Sequence, residues 1–328
     1  MPRGTTRRRF LASAGVAATV GLAGCGGSGG GAVGGVKNLT LHYGGMNEQI
    51  ATEIAAITNA RGISTTLKQG GTNVENLGTV NKNEGAMALI PADLAFFARE
   101  GTGIDAIDQT RGRIRNIVPL YPLPLTVVAR GDIEATTLSD LDGMTINTGE
   151  PGTALNVNAT QLVNPLDIDF ETSNLPLKES LQRVASGEID ATIARGDWPI
   201  PAITETAENA DVQLLSLGDE VIRAAVQNEW LVSDSPYGAV PASVYPGIDY
   251  AVDTLSMMTL LVVNADAPKG MIAGVTAGFF DNRDKIHTHN TFLPRRIQQS
   301  GENSFINAQT GVPLRLHDGA KEVILFST

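Results

Sequence analysis

The sequence predicts an α/β protein with largely parallel strands. From Val36 onward, short β-like apolar runs alternate with amphipathic segments, and the junctions between them are rich in Gly, Thr and Asn. Of the 328 residues, 42% are apolar and 18% charged, enough for real cores, and the length suggests two modules of ordinary size.

The elements follow in order. Leu39 to Tyr43 is strand-like and ends at Gly44-Gly45, after which Asn47 can cap a helix with apolar positions at Ile50, Ile54 and Ile57. Ile63 to Leu67 is a second strand. Thr72 or Asn73 then caps a helix through Leu77 and Val80, and Ala86 to Ile90 is a third strand. Ile117 to Ala129 is extended, but Pro119, Pro122 and Pro124 suit a crossover or edge better than a central strand. Beyond it come a short helix from Leu138, a strand from Met144 to Asn147, and a turn, Thr148 to Thr153, that opens a helix carrying Leu155, Val157 and Leu162. A helix from Leu177 to Ala185, a strand from Ile189 to Ile193, a helix opening at Pro199 and a strand from Val212 to Leu215 continue the alternation. Tyr250 to Val263 is again extended, and helical patterns occupy Gly270 to Phe280 and part of Val312 to Phe326.

Composition excludes several classes of function. A net charge of −11 does not supply the clustered cations that nucleic-acid binding requires, and a single cysteine excludes internal disulfides and cysteine-built metal sites. The four histidines, at 42, 287, 289 and 317, fall in no metalloprotease pattern, and neither a nucleophile elbow nor a lysine-containing phosphate loop is present. No catalysis, metal site or cofactor is inferred.

Residues 1–24 read as an export signal. They hold four arginines and no acid, followed by an apolar run from Phe10 to Leu22, too short to span a bilayer comfortably. Arg7-Arg8 followed by Arg9, Phe10 and Leu11 resembles a twin-arginine signal, and Leu22-Ala23-Gly24-Cys25 resembles a lipobox whose Cys25 thiolate takes a lipid. Gly-rich residues 25–36 then form a flexible tether. Removal of the first 24 residues would take the net charge from −11 to −15.

The candidate site lies where strands run into helices. Gly44 to Asn47, Gly70 to Val74 and Gly149 to Asn156 each place backbone N–H groups at the positive end of a helix, where a carboxylate or phosphate is favoured. Any α/β domain also uses such turns as ordinary caps. Arg195 and Trp198 stand at the end of another strand, offering a permanent cation and a flat indole, or alternatively a surface loop with a packing Trp.

Along about 280 residues the chain resembles the TAXI-type solute receptors of tripartite ATP-independent periplasmic (TRAP) transporters. The stretches that carry the resemblance, in order, are GGTNVENL, ALIPADLAFFAREGTG, LYPLPLTVVARG with LSDLDGMTINTGEPGTA, ASGEIDATIARGDWPIPAI, VPASVYPGIDYAVDTL and LRLHDGAKE. The resemblance implies a two-lobed type II periplasmic-binding-protein-like fold, with lobe 1 from residues 37–124 and 248–328 and lobe 2 from 125–247. It further implies capture of a small organic anion, a dicarboxylate or acidic amino acid, and delivery to a TRAP permease with fused small and large subunits. The protein would then work outside the cytoplasm, held to the membrane by its lipid anchor.

Mapped residue by residue, the expected ligand contacts are Gly45, Met46, Thr72, Asn73, Val74, Tyr121, Gly152, Thr153, Ala154, Arg195 and Trp198. Three departures from the family pattern bear on them: the first loop is short, the second-lobe turn reads Pro151-Gly152-Thr153-Ala154 rather than Gly-Ser-Gly, and Pro91-Ala92 replaces a polar pair, so that edge of the pocket should be less polar. The alternatives are a lipid-anchored receptor that reports ligand to a membrane kinase, and a tethered enzyme on the same fold.

Overall fold

The computed structural model describes residues 38–44, 48–101, 107–164, 168–196, 198–227, 237–282 and 312–326. The export signal, Cys25 and the tether therefore lie outside the described residues, as do Gly45, Met46 and Asn47.

The elements are β1 (Asn38–Tyr43), α1 (Glu48–Ala60), β2 (Ser64–Gln69), α2 (Asn73–Lys82), β3 (Ala86–Pro91), α3 (Ala92–Glu100), β4 (Ile114–Arg130), a 3-10 turn (Leu138–Leu141), β5 (Thr145–Asn147), α4 (Ala154–Val163), β6 (Glu171–Ser173), α5 (Leu177–Ser186), β7 (Ala191–Arg195), α6 (Pro201–Asn209), β8 (Val212–Leu215), α7 (Asp219–Gln227), β9 (Tyr237–Val240), β10 (Val252–Asn264), α8 (Lys269–Asp281) and α9 (Asp318–Phe326).

The strands join in the order β2-β1-β3-β10-β4-β7-β5-β6, with β8 on β4 and β9 on β10. Strands β1, β2 and β3 are parallel to one another, as are β5, β6 and β7. The two sets are joined by β4 and β10, which run antiparallel from Ile114 to Pro124 on one side and Ser256 to Asn264 on the other. Beyond Pro124, β4 passes to new partners, β7 at Leu125–Ala129 and β8 at Val127–Arg130. Two groups of strands carried on one shared pair make two lobes.

The proline-bearing stretch does cross from one group of strands to the other, but β4 corrects the expectation that it is no central strand: it is a single strand of 17 residues in the middle of the sheet. The prolines are tolerated because they fall where only β10 pairs with β4 among the described ladders. Pro119, Pro122 and Pro124 lie opposite Leu260, Met258 and Ser256, with a register shift beside Thr259, so the missing N–H donors break no second ladder. The partner-rich half, Leu125 to Arg130, contains no proline.

Helices cover both faces of the sheet. On β3, Ala86, Ala88 and Ile90 pack into a cluster with α2 and α3, while Met87 and Leu89 join α1 and α8 on the other side, and with Pro91 all six residues of the strand are buried. That burial pattern is what parallel strands with helices on both faces require. A third cluster, around Leu181, Ile203, Leu214 and Tyr245, packs α5 and α6 against the outer face of the second lobe. Helix α6 begins at Pro201, two residues later than expected, because Pro201 is preset for the first helical position and Ile200 closes the turn before it. Among the described residues no helix is long and apolar enough to cross a membrane.

Two local features give testable stability effects. Thr72 caps α2 in a reciprocal box: its Oγ1 accepts from Glu75 N at 3.2 Å while its own N–H donates to Glu75 Oε2 at 2.7 Å. Thr72→Ala is expected to cost about 1 kcal/mol in urea unfolding.

His317 fastens α9 to β4. Its N–H donates to Asn116 O at 2.9 Å, and its Nδ1 accepts from Gly319 N at 3.1 Å. Burial holds its imidazole below the ordinary 6.5, so the folded state keeps it neutral while the unfolded chain takes up a proton at the ordinary value. Stability should therefore fall as pH drops below about 6.5, and His317→Asn should flatten that part of a Tm-against-pH curve.

Candidate functional site

The carboxyl ends of β2, β3 and β5 lead into α2, α3 and the α4 turn, which meet between the two lobes, and β7 ends at Arg195. Two of the expected turns face each other directly. Gly152, at φ +77°, precedes α4, and a Cβ placed on it would lie 3.5 Å from Thr72 Cγ2 and 3.7 Å from Thr72 Oγ1. Gly152, Thr153 and Thr72 are half-buried and Ala154 is buried. The turn of the second lobe thus rests on the cap of the first.

The two helix ends differ electrically. Thr153 caps α4, its Oγ1 accepting from Asn156 N at 3.2 Å and donating to Glu150 O at 2.7 Å. No acid stands in the first turn of α4, so its first amides keep their positive end. α2 carries Glu75 in its first turn, folded back on Thr72, and that carboxylate offsets the helix end that the sequence reading offered to an anion.

Behind these turns lies a charged cluster that bridges the lobes. Asp93, in the first turn of α3, is 1% exposed; Asn158 of α4 is fully buried; Arg195, the last residue of β7, is 9% exposed. Asn158 Nδ2 donates to Asp93 Oδ2 across the junction. Burial pushes the Asp93 carboxyl up to about 6, and the nearby Arg195 guanidinium pulls the other way. The backbone N–H groups of Leu94 and of Asp93 itself also favour the charged form of the Asp93 carboxyl, and Asn158 Oδ1 is buried without a hydrogen-bond partner. Thr259, opposite Pro91 and Tyr121 in the β10 ladders, is also buried with its Oγ1 unpartnered.

The other expected contacts are distributed as follows. Asn73 donates to Leu89 O at 3.4 Å, at the carboxyl end of β3, with Val74 beside it at the start of α2. Tyr121 is placed by its backbone on β4 opposite Thr259. Trp198 is half-buried, packs against the outer cluster of lobe 2 and donates from Nε1 to Thr126 Oγ1 at 3.3 Å. The edge expected to be less polar because of Pro91 and Ala92 carries the buried Asp93 carboxylate immediately behind them.

Asp93, Asn158 and Glu75 were not singled out from the sequence. Glu75 had a readable signal, the Thr-x-x-Glu spacing of a capping box. Asp93 sits in the apolar frame Pro-Ala-Asp-Leu-Ala, which marks an acid that the fold must bury.

Among the described residues no group of three or more His, Cys, Asp or Glu is placed to hold a metal ion. His42 is buried on β1 opposite Lys68 and Ala88, and burial, with a smaller effect from the Lys68 charge, lowers its pKa. It is a packing histidine.

Comparison with solved structures finds the same architecture elsewhere. XAC2383 from Xanthomonas citri, solved bound to ATP, aligns with a TM-score of 0.51 at 9% identity, over 76% of this chain and 84% of that one. The periplasmic aliphatic sulphonate binding protein SsuA from Escherichia coli gives 0.48 at 11% identity, over 88% and 83%. The periplasmic VFT2 domain of BvgS from Bordetella pertussis gives 0.45 at 14% identity, over 77% and 91%. The likeness to XAC2383 is one of fold, and it agrees with the two-lobed topology described above. The sequence itself matches a family description over residues 42–323, nearly the whole of the described body, and the chain belongs to the NMT1-like family.

Proposed function

We propose that this chain is an extracytoplasmic solute receptor, tethered through Cys25, that closes its two lobes on a small carboxylate-bearing ligand and delivers it to a TRAP-type permease. The observation that carries this reading is the meeting of the Gly152–Ala154 turn with the Thr72 cap across the lobes, with Asn158 of the same helix α4 bonded to Asp93, whose carboxyl feels the Arg195 charge. In that place α4 offers amides without a competing acid, and Arg195 offers a fixed cation with a bidentate face. Closure removes water, which strengthens both contacts. Strands β4 and β10, which run through both lobes, are the natural hinge.

A thermal-shift screen of the purified protein against small organic acids tests the reading. A ligand at 100 times its Kd adds about 2.7 kcal/mol to stability. Thr153→Ala and Arg195→Lys should each shrink the shift caused by the best ligand at fixed concentration, the first by loosening the α4 end and the second by losing the planar fork. Shifts unchanged in both variants would place the ligand elsewhere.

A further inference from the structure

Charge is divided unevenly along the chain. Residues 125–247 hold 5 Lys and Arg against 19 Asp and Glu, whereas residues 25–124 and 248–328 together hold 15 against 16. The topology then gathers cations of the second group. Strands β1, β2, β3 and β4 all begin, and β10 ends, at one end of the first lobe, opposite the turns of the candidate site. Around the start of β4 stand Lys82, Arg111, Arg113, Arg115 and Arg315. Arg113 N donates to Asn81 Oδ1 at 3.1 Å, and Asn116 N donates to Arg315 O at 3.0 Å, which ties the flanking segments to the strand. Lys82, Arg113 and Arg315 are exposed, and Arg111 and Arg115 are half-buried. Asp266 pairs with Arg113, and Glu84, Asp108 and Asp318 lie two or three residues along the chain from Lys82, Arg111 and Arg315. Five cations thus meet four acids at this end, on a body whose other lobe is strongly acidic.

We infer that this end of the first lobe is a docking face for an anionic phospholipid surface, on which the tethered body stands with the acidic residues 125–247 turned outward. Two observations choose a membrane as the partner. Residues 25–36, read above as the tether, join the body at β1, whose first residue, Asn38, lies at this same end. A Gly-rich chain of that length keeps its ends about 20 Å apart on average. The anchor therefore holds this end within about two or three Debye lengths of the lipid phosphates. The second observation is charge complementarity. Near an anionic bilayer each Lys or Arg is attracted and each acid repelled, so the base of the first lobe can approach where residues 125–247 cannot. The arginines add planar forks that take phosphate oxygens in pairs. The inference rests on the tether of the proposed receptor and not on its ligand.

The test is lysine acetylation footprinting of the full chain at low salt, with vesicles of phosphatidylcholine alone or of equal parts phosphatidylcholine and phosphatidylglycerol. On the phosphatidylglycerol vesicles Lys82 should acetylate more slowly by about threefold or more. Lys68, exposed at the carboxyl end of β2, and Lys178, exposed on α5, should keep their rates. The protection should vanish in about 1 M salt, where the Debye length falls to about 3 Å. It should vanish also in the Arg113→Gln, Arg315→Gln double variant, which gives up two phosphate partners at about fivefold in affinity each. Equal protection of all three lysines, equal protection on phosphatidylcholine alone, or protection that survives in the double variant would overturn the inference. So would poly-glutamate shielding Lys82 where vesicles do not, which would assign the face to an acidic protein. A chain that answers to no acid in the thermal-shift screen yet shields Lys82 on these vesicles would remove the receptor reading and leave the docking face in place.

Discussion

Replacing Arg195 with methionine is expected to lower the unfolding free energy at pH 8 by about 3 kcal/mol, the cost of leaving a buried partner charge uncompensated. Asp93, 1% exposed, is the charge left behind. In the unmodified protein its carboxyl titrates near 6, above the ordinary 3.8, so the native state binds this proton more readily than the unfolded chain. The stability linked to Asp93 is therefore fully present below about pH 4 and is lost as pH rises through about 6. Without Arg195 the carboxyl moves higher still, and the penalty of Arg195→Met should be large at pH 8 and small at pH 5, where Asp93 is already mostly protonated. Adding Asp93→Asn should recover most of the loss at pH 8, because it removes the orphaned charge itself. Urea unfolding of the two single variants and the double variant at both pH values gives the coupling directly. A loss from Arg195→Met that is the same at pH 5 and pH 8 would show that the two groups are not electrically linked.

Gly101→Ala should be at least as costly. Gly101 ends α3, the helix that presents Asp93, in a left-handed conformation with φ +75°, and a Cβ there would lie 2.3 Å from Thr110 N and 2.6 Å from Gln109 C. Left-handed backbone costs a side-chain-bearing residue about 1–2 kcal/mol. The overlap is with main chain, which cannot swing aside as a long side chain can, so we expect a total of about 3 kcal/mol or more. Gly187 is the internal control. It ends α5 with φ +76°, but the nearest atom to its added Cβ is Arg130 Nη1 at 3.4 Å, the far end of a flexible side chain. Gly187→Ala should cost only the conformational part, about 1 kcal/mol. Equal losses from the two alanines would mean that the close approach of residues 109–110 to α3 is not as described.

What could be read from the sequence was what is written locally. The alternation of strands and helices from Leu39 to Ile90 is legible because the strands are short runs of apolar and β-branched residues, α1 and α2 carry apolar residues at helical spacing, and α2 opens at Thr72. Of the two caps offered for α2, Thr72 or Asn73, it is Thr72 that forms, and α4 is capped by Thr153, the last residue of the turn expected to open it. For β4 the prolines point to a crossover, which it is, but they hide its central place, because a linear sequence does not show that the proline-bearing half has one neighbouring strand while the proline-free half has two. Helix α3 went unassigned: its apolar residues Leu94, Ala95, Phe97 and Ala98 are all buried and give a weak one-sided stripe.

The site divides in the same way. Turns at helix starts are local and were found, and their meeting at Gly152 and Thr72 follows only once the lobes are folded. The pairing of Asp93 with Asn158 and Arg195 joins residues 65 and about 100 positions apart, beyond the reach of any spacing rule. Trp198 shows the opposite limit. Its place at a strand end suggested a ligand face, while its bond to Thr126 and its packing in the outer cluster of lobe 2 depend on β4 lying alongside β7.

A crystal structure of the protein with the tightest binder from the thermal-shift screen examines the central claim most directly. The account requires density enclosed between the lobes, with an acid group in hydrogen-bond reach of the Arg195 guanidinium and the first α4 amides. Density seated instead in the groove of about 400 Å³ between α5 and α6, lined by Leu181, Ala185 and Ala202, with the Asp93–Asn158 junction undisturbed, would contradict it.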